Sequence, residues 1–398
     1  MNVPPLRFPG FDGEWETKKL GEIAEKIGDG LHGTPIYVDE SDIYFINGNN
    51  LVNGKIEINE STKKVDVETS LKNDKKLREN TLLISINGTI GNIAKYNNES
   101  VMLGKSVGFL NFDENSDFLY FALKTKSIQN FFNSELTGST IKNLSLKTLR
   151  ETLISCPNQD EQNKISDFLS LIDERIQTQN KIIEQLETLI KGLSEKLFSQ
   201  KIRFKDFTGQ WEEKKLEEIF YSEKGKGLSK DRLTPNGKYK CVLYGELYTK
   251  YKEVIFNVVS KTNEEGGLKS QIGDLLIPSS TTTTGIDLAN VTAINKENVL
   301  LGGDIIVLRS KEKTNNIFYA YYLSNYKRKE IASYTQGSTI VHLYYNHMKN
   351  MVIDFPLYVE QTKIAQFLSS IDTKIETEKN ILEKYHSQKQ YLLQNLFI

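Results

Sequence analysis

The chain has 398 residues, 38% hydrophobic and 26% charged, with a formal net charge of −1. This composition is ordinary for soluble globular domains and excludes a disordered or fibrous chain. Its two cysteines lie in unrelated contexts, which predicts reduced thiols in a cytoplasmic protein. The N-terminus has no apolar core typical of a signal peptide, and no apolar stretch approaches the length of a membrane span.

Charge is distributed unevenly along the chain. The net charge is −3 over residues 1–159, −3 over 160–200, +5 over 201–355 and 0 over 356–398. Nucleic-acid binding needs a local basic face rather than a basic whole. Net charge therefore favours DNA binding for residues 201–355 and gives no such support to the first half.

The sequence repeats itself once. The segment RFPGFDGEW at 7–15 returns as RFKDFTGQW at 203–211, with the only two tryptophans at matching positions. The stretch 157–173 returns at 356–372, and GSTI at 138–141 returns at 337–340. Such a period is far longer than that of a solenoid repeat and indicates two domain-sized copies. The matching borders predict a scaffold, and the divergent interiors predict two different recognition surfaces.

The first copy begins with an α+β region. Residues 43–46 and 81–86 predict strands, 47–50 and 53–54 predict turns, and 118–123 predict a helix. A polar loop, Asn87-Gly88-Thr89-Ile90-Gly91, follows the second strand and precedes Lys95. This region is predicted to form a domain over residues 1–156.

A long helix is predicted next, within residues 157–200. Apolar residues recur at seven-residue steps in neighbouring rows, one unbroken and one interrupted by Gln179. The unbroken row comprises Leu169, Ile176, Ile183, Ile190 and Leu197. This width and period are typical of a coiled-coil seam.

The second copy repeats this order over residues 201–355 and 356–398. A strand is predicted at 305–308 and a helix at 318–323, and the loop Ser279–Gly285 matches the polar loop of the first copy. The final helix carries the same seam, with Glu378 where Gln179 stood. The two helices are predicted to pair antiparallel within one chain. Two separate helical hairpins or a homo-oligomeric coiled coil are the alternatives.

Catalytic signatures are mostly absent from the sequence. Gly104-Lys105-Ser106 ends like a phosphate-binding loop, but Glu99 stands where the first glycine of that motif belongs, so a plain turn is predicted. His342 and His347 are five residues apart without a third ligand, so no metal site is predicted. The methyltransferase stretch Asn/Asp-Pro-Pro-Tyr/Phe does not occur.

The two polar loops carry hydrogen-bonding side chains beside lysines. Ser, Thr and Asn donate to phosphate oxygens, Asn can bridge an adenine edge, and Lys can bond guanine. Each loop taken alone is also compatible with a plain turn. Their equivalent positions in both copies favour DNA contact.

These residues resemble the DNA-sequence specificity subunit of type I restriction–modification systems. The resemblance spans nearly the whole chain and rests on the tryptophan segments, the repeated helix starts at 157–173 and 356–372, and the two-copy layout. The turn Gly30–Pro35 resembles one class of target-recognition domain, although Leu31 and Gly33 depart from its pattern around His32. The stretches 225–230 and 244–249 resemble another class.

The resemblance implies a non-catalytic α+β protein with an internal pseudo-twofold repeat. Two α/β target-recognition domains, 1–156 and 201–355, are separated by spacer helices 157–200 and 356–398 that pair as an antiparallel coiled coil. Each domain would read one half of an asymmetric bipartite site in double-stranded DNA. The helices would set the spacer and dock two methyltransferase (modification) subunits, which restriction subunits with translocase and nuclease activity would join. No cofactor is expected in this chain, whereas S-adenosylmethionine, ATP and Mg are expected on the partner subunits.

Candidate DNA-binding residues follow from these loops and motifs. In the first half they are His32, Thr34, Asn49, Asn87, Thr89, Lys95, Lys105, Ser139 and Thr140. In the second half they are Lys226, Lys230, Tyr244, Ser279, Ser280, Thr281, Thr282, Thr283, Ser338 and Thr339. Two other classes stay open: an enzyme with a fused recognition domain, and a two-headed coiled-coil adaptor that binds protein or carbohydrate. Steep salt dependence would separate a DNA reader from the adaptor.

Overall fold

The computed structural model describes residues 2–114, 116–138 and 142–398. Its contacts divide the chain into two compact units that both draw on the two long helices. The first unit comprises Met1–Asn180 and Ile381–Ile398, and the second comprises Lys181–Asn380. In the described part of the chain, no helix combines the length and apolar character needed to cross a bilayer.

The first unit is built on a four-stranded antiparallel sheet covered by short helices. In spatial order its strands are Lys26–Asp29, Val107–Asn111, Thr81–Ser85 and Ile93–Lys95. The smaller sheets are Lys64–Val65 with Ile43–Ile46 and Val101–Leu103, Leu51–Val52 with Lys55–Ile56, and Glu16–Lys19 with Leu153–Cys156. The short helices are Leu20–Ile23, Gly48–Asn50 (3-10), Val67–Lys72, Asp117–Ala122, Lys126–Ser134 and Leu146–Glu151.

The second unit repeats this plan with an additional strand. Its main sheet runs Phe220–Lys224, Ile305–Ser310, Leu275–Pro278, Thr292–Ile294 and Val254–Ile255. The smaller sheets are Lys261–Thr262 with Tyr239–Val242, Leu300–Leu301 and Leu268–Lys269, Ser280–Thr281 with Val341–His342, and Glu212–Lys215 with Val352–Phe355. The short helices are Leu216–Ile219, Lys230–Arg232 (3-10), Glu246–Thr249, Gly285–Ala289 (3-10), Asn316–Tyr321, Tyr322–Tyr326 (a π turn), Arg328–Ser333 and Tyr345–Met348.

The two long helices are continuous over Gln159–Phe198 and Tyr358–Asn395, close to the bounds that the sequence predicts. In the first unit, Ile165 and Leu169 share a hydrophobic core with Leu392 and Leu396. In the second unit, Leu197 shares a core with Ile364 and Leu368. In both units early residues of one helix meet late residues of the other, so the predicted intramolecular antiparallel pair is confirmed.

The repeated tryptophan segment is anchored to the start of a long helix in each unit. In the first unit, Arg7 Nε and Nη2 donate to the two carboxylate oxygens of Glu161 at 2.7 Å each. In the second, Arg203 makes the same bidentate pair with Glu360 at 2.6 and 2.8 Å. Both glutamates are buried, so the arginines neutralise charges that are otherwise costly to remove from water. The matching sequence borders are therefore scaffold, as the repeat predicts.

Candidate nucleic-acid interface

Backbone hydrogen bonds gather the loops of the first unit at one edge of its main sheet. They are Gly30 N to Val107 O at 3.1 Å, Leu31 N to Leu103 O at 2.8 Å, Gly104 N to Ile46 O at 2.9 Å and Leu144 N to Ile86 O at 2.9 Å. At this edge the strands Lys26–Asp29 and Thr81–Ser85 end and Val107–Asn111 begins. We call the described residues of 30–34, 47–50, 86–91, 104–106 and 137–143 the first loop surface.

The second unit uses the same bonds at equivalent positions. They are Gly225 N to Ile305 O at 2.9 Å, Lys226 N to Leu301 O at 3.0 Å, Gly302 N to Val242 O at 2.9 Å and Leu343 N to Ser279 O at 3.0 Å. We call residues 225–230, 243–245, 279–284, 302–304 and 336–342 the second loop surface. The interiors of the two halves thus diverge in sequence while sharing one backbone framework.

Glycines allow the close backbone approach at the centre of each loop surface. A Cβ atom on Gly30 would overlap the carbonyl oxygens of Leu103 and Gly104. A Cβ atom on Gly225 would likewise overlap the carbonyl oxygen of Gly302. At either position, a residue with a side chain would push the loop that contains it away from the facing backbone. These glycines therefore fix where the flanking side chains emerge.

Several predicted residues lie together on the first loop surface. His32, Thr34 and Asn49 are exposed, and the His32 ring contacts Asp29 Oδ2 at 2.6 Å. The Asn87 amide reaches the carbonyl oxygen of Lys105 at 3.5 Å, which joins two of the loops. Gly104-Lys105-Ser106 forms the predicted plain turn, closed by a 3.0 Å bond from Val107 N to Gly104 O.

The ammonium of Lys105 is exposed and forms no ion pair with any residue that the structure describes. The exposed Thr89 hydroxyl lies 3.2 Å from Ser85 Oγ, which fixes it at the end of the central strand. Both side chains can therefore reach an external ligand from a position set by the sheet. Ser139 and Thr140 lie outside the described residues.

Lys95 does not belong to this surface, which corrects the expectation from the sequence. It pairs with Leu82 in the sheet, at the opposite end of the strand from Ser85. Its ammonium contacts Asp117 Oδ1 at 2.6 Å and lies 4.9 Å from the centre of the Tyr120 ring. The ion pair and the ring occupy this lysine inside its own unit, and proximity in sequence to the Asn87 loop was misleading.

The second loop surface carries exposed cations and hydroxyls. Lys226 and Lys230 are exposed and form no ion pair within the described part of the chain. Ser338 and Thr339 are exposed at the tip of a loop, whereas Tyr244 is half-buried against the core beneath. The arrangement offers donors and positive charge to an anionic ligand.

The polar loop of the second unit is only partly available. Ser279, Ser280 and Thr281 are buried, because Ser280–Thr281 pairs as a strand with Val341–His342. The expectation that these three side chains contact DNA is therefore corrected. The exposed part begins at Thr282.

Thr283, in this exposed part, binds a side chain of the following 3-10 helix, whose N-cap is Thr284. The Thr283 hydroxyl donates to Asp287 Oδ2 at 2.6 Å. This hydrogen bond is the main reason that the pKa of Asp287 lies below its usual value. The side chain of Thr283 is thus engaged in holding its own loop.

Two residues on these surfaces, Asn143 and His342, are not among the DNA-binding candidates from the sequence. Asn143 forms an antiparallel bridge with Asn87, and His342 pairs in the same way with Ser280. Both occupy equivalent places two residues after the repeated GSTI segment, and that spacing could have identified them. His342 and His347 flank the ring of Tyr344, at 5.9 and 5.2 Å between ring centres. Among the described residues, no three potential ligands cluster as a metal site.

The fold and the paired loop surfaces define a class of protein with two recognition domains on a helical scaffold. A family model described as "Type I restriction modification DNA specificity domain" matches the chain twice, over residues 12–188 and 208–385. The chain therefore belongs to this family of type I restriction–modification specificity proteins, which are non-catalytic components of their systems. The recognition made from the sequence is confirmed.

Individual relatives agree with this assignment. The chain is 26% identical to the type I restriction enzyme MjaVIII specificity subunit of Methanocaldococcus jannaschii, over 69% of this chain and 68% of that protein. It is 25% identical to the MjaIX specificity subunit of the same organism, over 96% and 88% of the two chains. Its fold is similar to the crystal structure of an S subunit from M. genitalium, with a TM-score of 0.62, 20% identity and coverage of 100% and 99%.

Proposed function

We propose that the chain reads an asymmetric bipartite site in double-stranded DNA, one half-site with each loop surface. One observation carries this proposal: a common backbone framework presents two different sets of exposed side chains. Asn87, Thr89 and Lys105 serve the first half-site, and Lys226, Lys230 and Thr282 serve the second. Unpaired lysines contact phosphates, and amide or hydroxyl groups contact base edges.

We further propose that the long helices set the spacer between half-sites and dock two modification subunits. Large apolar side chains are exposed on these helices, outside the buried seam. They include Leu171 and Tyr391 in the first unit, and Leu189 and Phe367 in the second. Each of these side chains offers apolar surface that a protein partner could bury. The partners would supply S-adenosylmethionine, and restriction subunits with ATP and Mg would complete the system.

Mapping methylated adenines in host DNA tests the division into half-sites. The complex of the chain with its modification subunits should mark one asymmetric motif with a gap of unspecified bases. Binding of that DNA by the full chain should weaken steeply as salt rises, because phosphate contacts release counterions. Binding that ignores salt, or a contiguous motif without a gap, would contradict the proposal.

Lengthening the helices tests the spacer. Insertion of one seven-residue seam repeat into both long helices preserves the seam. The unspecified gap should lengthen while both half-sites stay the same. A changed half-site with an unchanged gap would refute this role of the helices.

A further inference from the structure

The repeated GSTI segment belongs to a loop that is closed by its own backbone. In the second unit, Gln336 and His342 exchange two hydrogen bonds of 2.9 and 2.7 Å across this loop. In the first unit, Thr137 and Asn143 exchange two bonds of 3.0 and 2.9 Å. The bonded pair is separated by the same number of residues, and bonded in the same way, in both units. We call Asn143 and His342 the closing residues.

Each closing residue is fastened to the strand-end loop of the main sheet. Asn143 bridges to Asn87, and His342 pairs with Ser280. The next residue, Leu144 or Leu343, is fully buried and donates its N–H to that loop. Buried leucines and paired backbones hold the two closing residues in equivalent, well-defined places, which is the support that a recognition side chain needs.

The side chains of the closing residues are free to bind. Both are half-exposed, and neither makes a side-chain hydrogen bond to any residue that the structure describes. The His342 ring stacks on Tyr344 with an interplanar angle of 22°. An asparagine amide can bond adenine through two atoms at once, and an imidazole N–H can donate to the N7 or O6 of guanine.

We infer that the closing residues are specificity-determining: Asn143 reads an adenine of the first half-site, and His342 reads a guanine of the second. This inference rests on the proposed function. Two half-sites that differ cannot be distinguished by residues that are identical in both copies on one framework. The closing residues differ, whereas the GSTI residues are the same. Ser338 and Thr339, which belong to the shared segment, therefore serve the phosphate backbone, which carries no sequence information directly.

Exchange of the closing residues tests the inference in the complex with modification subunits. His342→Asn should change the preferred base at one position of the second half-site and weaken binding of the original sequence roughly 5- to 150-fold. Asn143→His should do the same at one adenine of the first half-site. Each variant should leave the other half-site unchanged, as read from methylated host DNA and from binding to duplexes with single substitutions.

Two further variants serve as controls. His347→Asn alters an exposed histidine that contacts the same Tyr344 ring but lies outside the closed loop, and it should keep the wild-type motif. Ser338→Ala should weaken binding to all sequences alike. If His342→Asn lowers the melting temperature, His342→Gln in the same assay decides whether the side chain at this position selects the base.

The outcomes separate this inference from the function on which it rests. An unchanged motif and affinity in both exchanged variants would overturn the assignment of the closing residues, while a bipartite wild-type motif would leave the proposed function standing. A wild-type complex that marks no bipartite motif would remove the proposed function itself. A changed motif in His347→Asn would move the assignment from the closed loop to the aromatic cluster.

Discussion

At the scale of single residues, the two copies differ in how the buried glutamate is satisfied. Glu360 accepts from Arg203 and also from Trp211 Nε1 at 3.0 Å. In the first unit Glu161 pairs with Arg7, while the buried Trp15 Nε1 has no partner in the described chain. Glu360 therefore accepts one more hydrogen bond than Glu161, whereas Arg7 additionally donates to the carbonyl oxygens of Gly13 and Asp12.

Removal of this carboxylate should destabilise the second unit. Glu360→Ala leaves Arg203 without its partner and Trp211 without an acceptor, so the free energy of unfolding should fall by about 3–5 kcal/mol. Denaturant titration in a Trp15→Phe background checks this, because the remaining tryptophan reports on the second unit.

The matching variant in the first unit provides the comparison. Glu161→Ala should lower the free energy of unfolding by less than Glu360→Ala, because no tryptophan hydrogen bond is lost. Trp15 fluorescence in a Trp211→Phe background measures this loss. Equal losses in the two units would show that the indole hydrogen bond adds nothing.

Lys124 makes the stability of the first unit depend on pH. Burial lowers its pKa to about 8, and the charge of Lys389 acts in the same direction. Between about pH 8 and the unfolded value of about 10.5, the unfolded chain keeps a proton that the folded chain has lost. The contribution of Lys124 to the free energy of unfolding therefore rises with pH in this window. Below about pH 8, the folded chain carries the full cost of burying the charged ammonium.

Replacement of Lys124 by methionine should remove that rise. Relative to the wild type, Lys124→Met should lose about 1–3 kcal/mol of stability as pH increases from about 8 to about 10.5. Urea titrations across this range give the difference directly. The neighbouring exposed Lys126→Met is the control and should run parallel to the wild type. Parallel curves for Lys124→Met would exclude the effect.

At the scale of elements, the sequence predicts the regular parts well. Seven-residue periodicity gives both long helices to within a few residues, because a seam needs the same spacing along its whole length. The strands at 43–46 and 305–310 are equally visible as β-branched runs. Sites built by pairing between distant segments are not visible in the local sequence. The burial of Ser280 depends on a partner strand 62 positions further along, at His342, which no local pattern reveals.

Apolar residues on the outer faces of the long helices should hold the modification subunits. Leu171 and Tyr391 are 56% and 59% exposed. Leu171→Glu with Tyr391→Glu should abolish co-purification with a modification subunit and reduce methylation, because charges cannot be buried in an apolar contact without a partner. The melting temperature should be unchanged.

An exposed apolar residue away from the long helices controls for added charge. Val67, in the short helix Val67–Lys72, is 60% exposed. Val67→Glu should leave assembly intact. Co-purification of both modification subunits with the double variant would place docking elsewhere, for example on the recognition domains.

At the scale of the whole molecule, the repeat conveys more than any single motif. The family and the two-copy layout follow from matching borders, since scaffold residues must satisfy the same contacts in both copies. Which side chains share a loop surface was harder to predict, as Lys95 illustrates. A lysine near a polar loop in sequence lies at the far end of its strand in space. The four-segment division at residues 156, 200 and 355 and the exposed loop candidates stay predictions.

The two-domain layout leads to a prediction about recombination between specificities. Each loop surface is built from residues of its own unit, with its own framework of backbone bonds. Within the second domain, exchange of residues 216–351 for the corresponding segment of another family member keeps the borders 201–215 and 352–355 of this chain. It should therefore preserve the scaffold contacts at Arg203 and Trp211. The complex should then methylate a motif in which one half is new and the other half is unchanged. Sequencing of methylated adenines in host DNA reads both halves at once. A reciprocal exchange of residues 20–152 should alter the opposite half, and a change in both halves after either exchange would mean that the two readers are coupled.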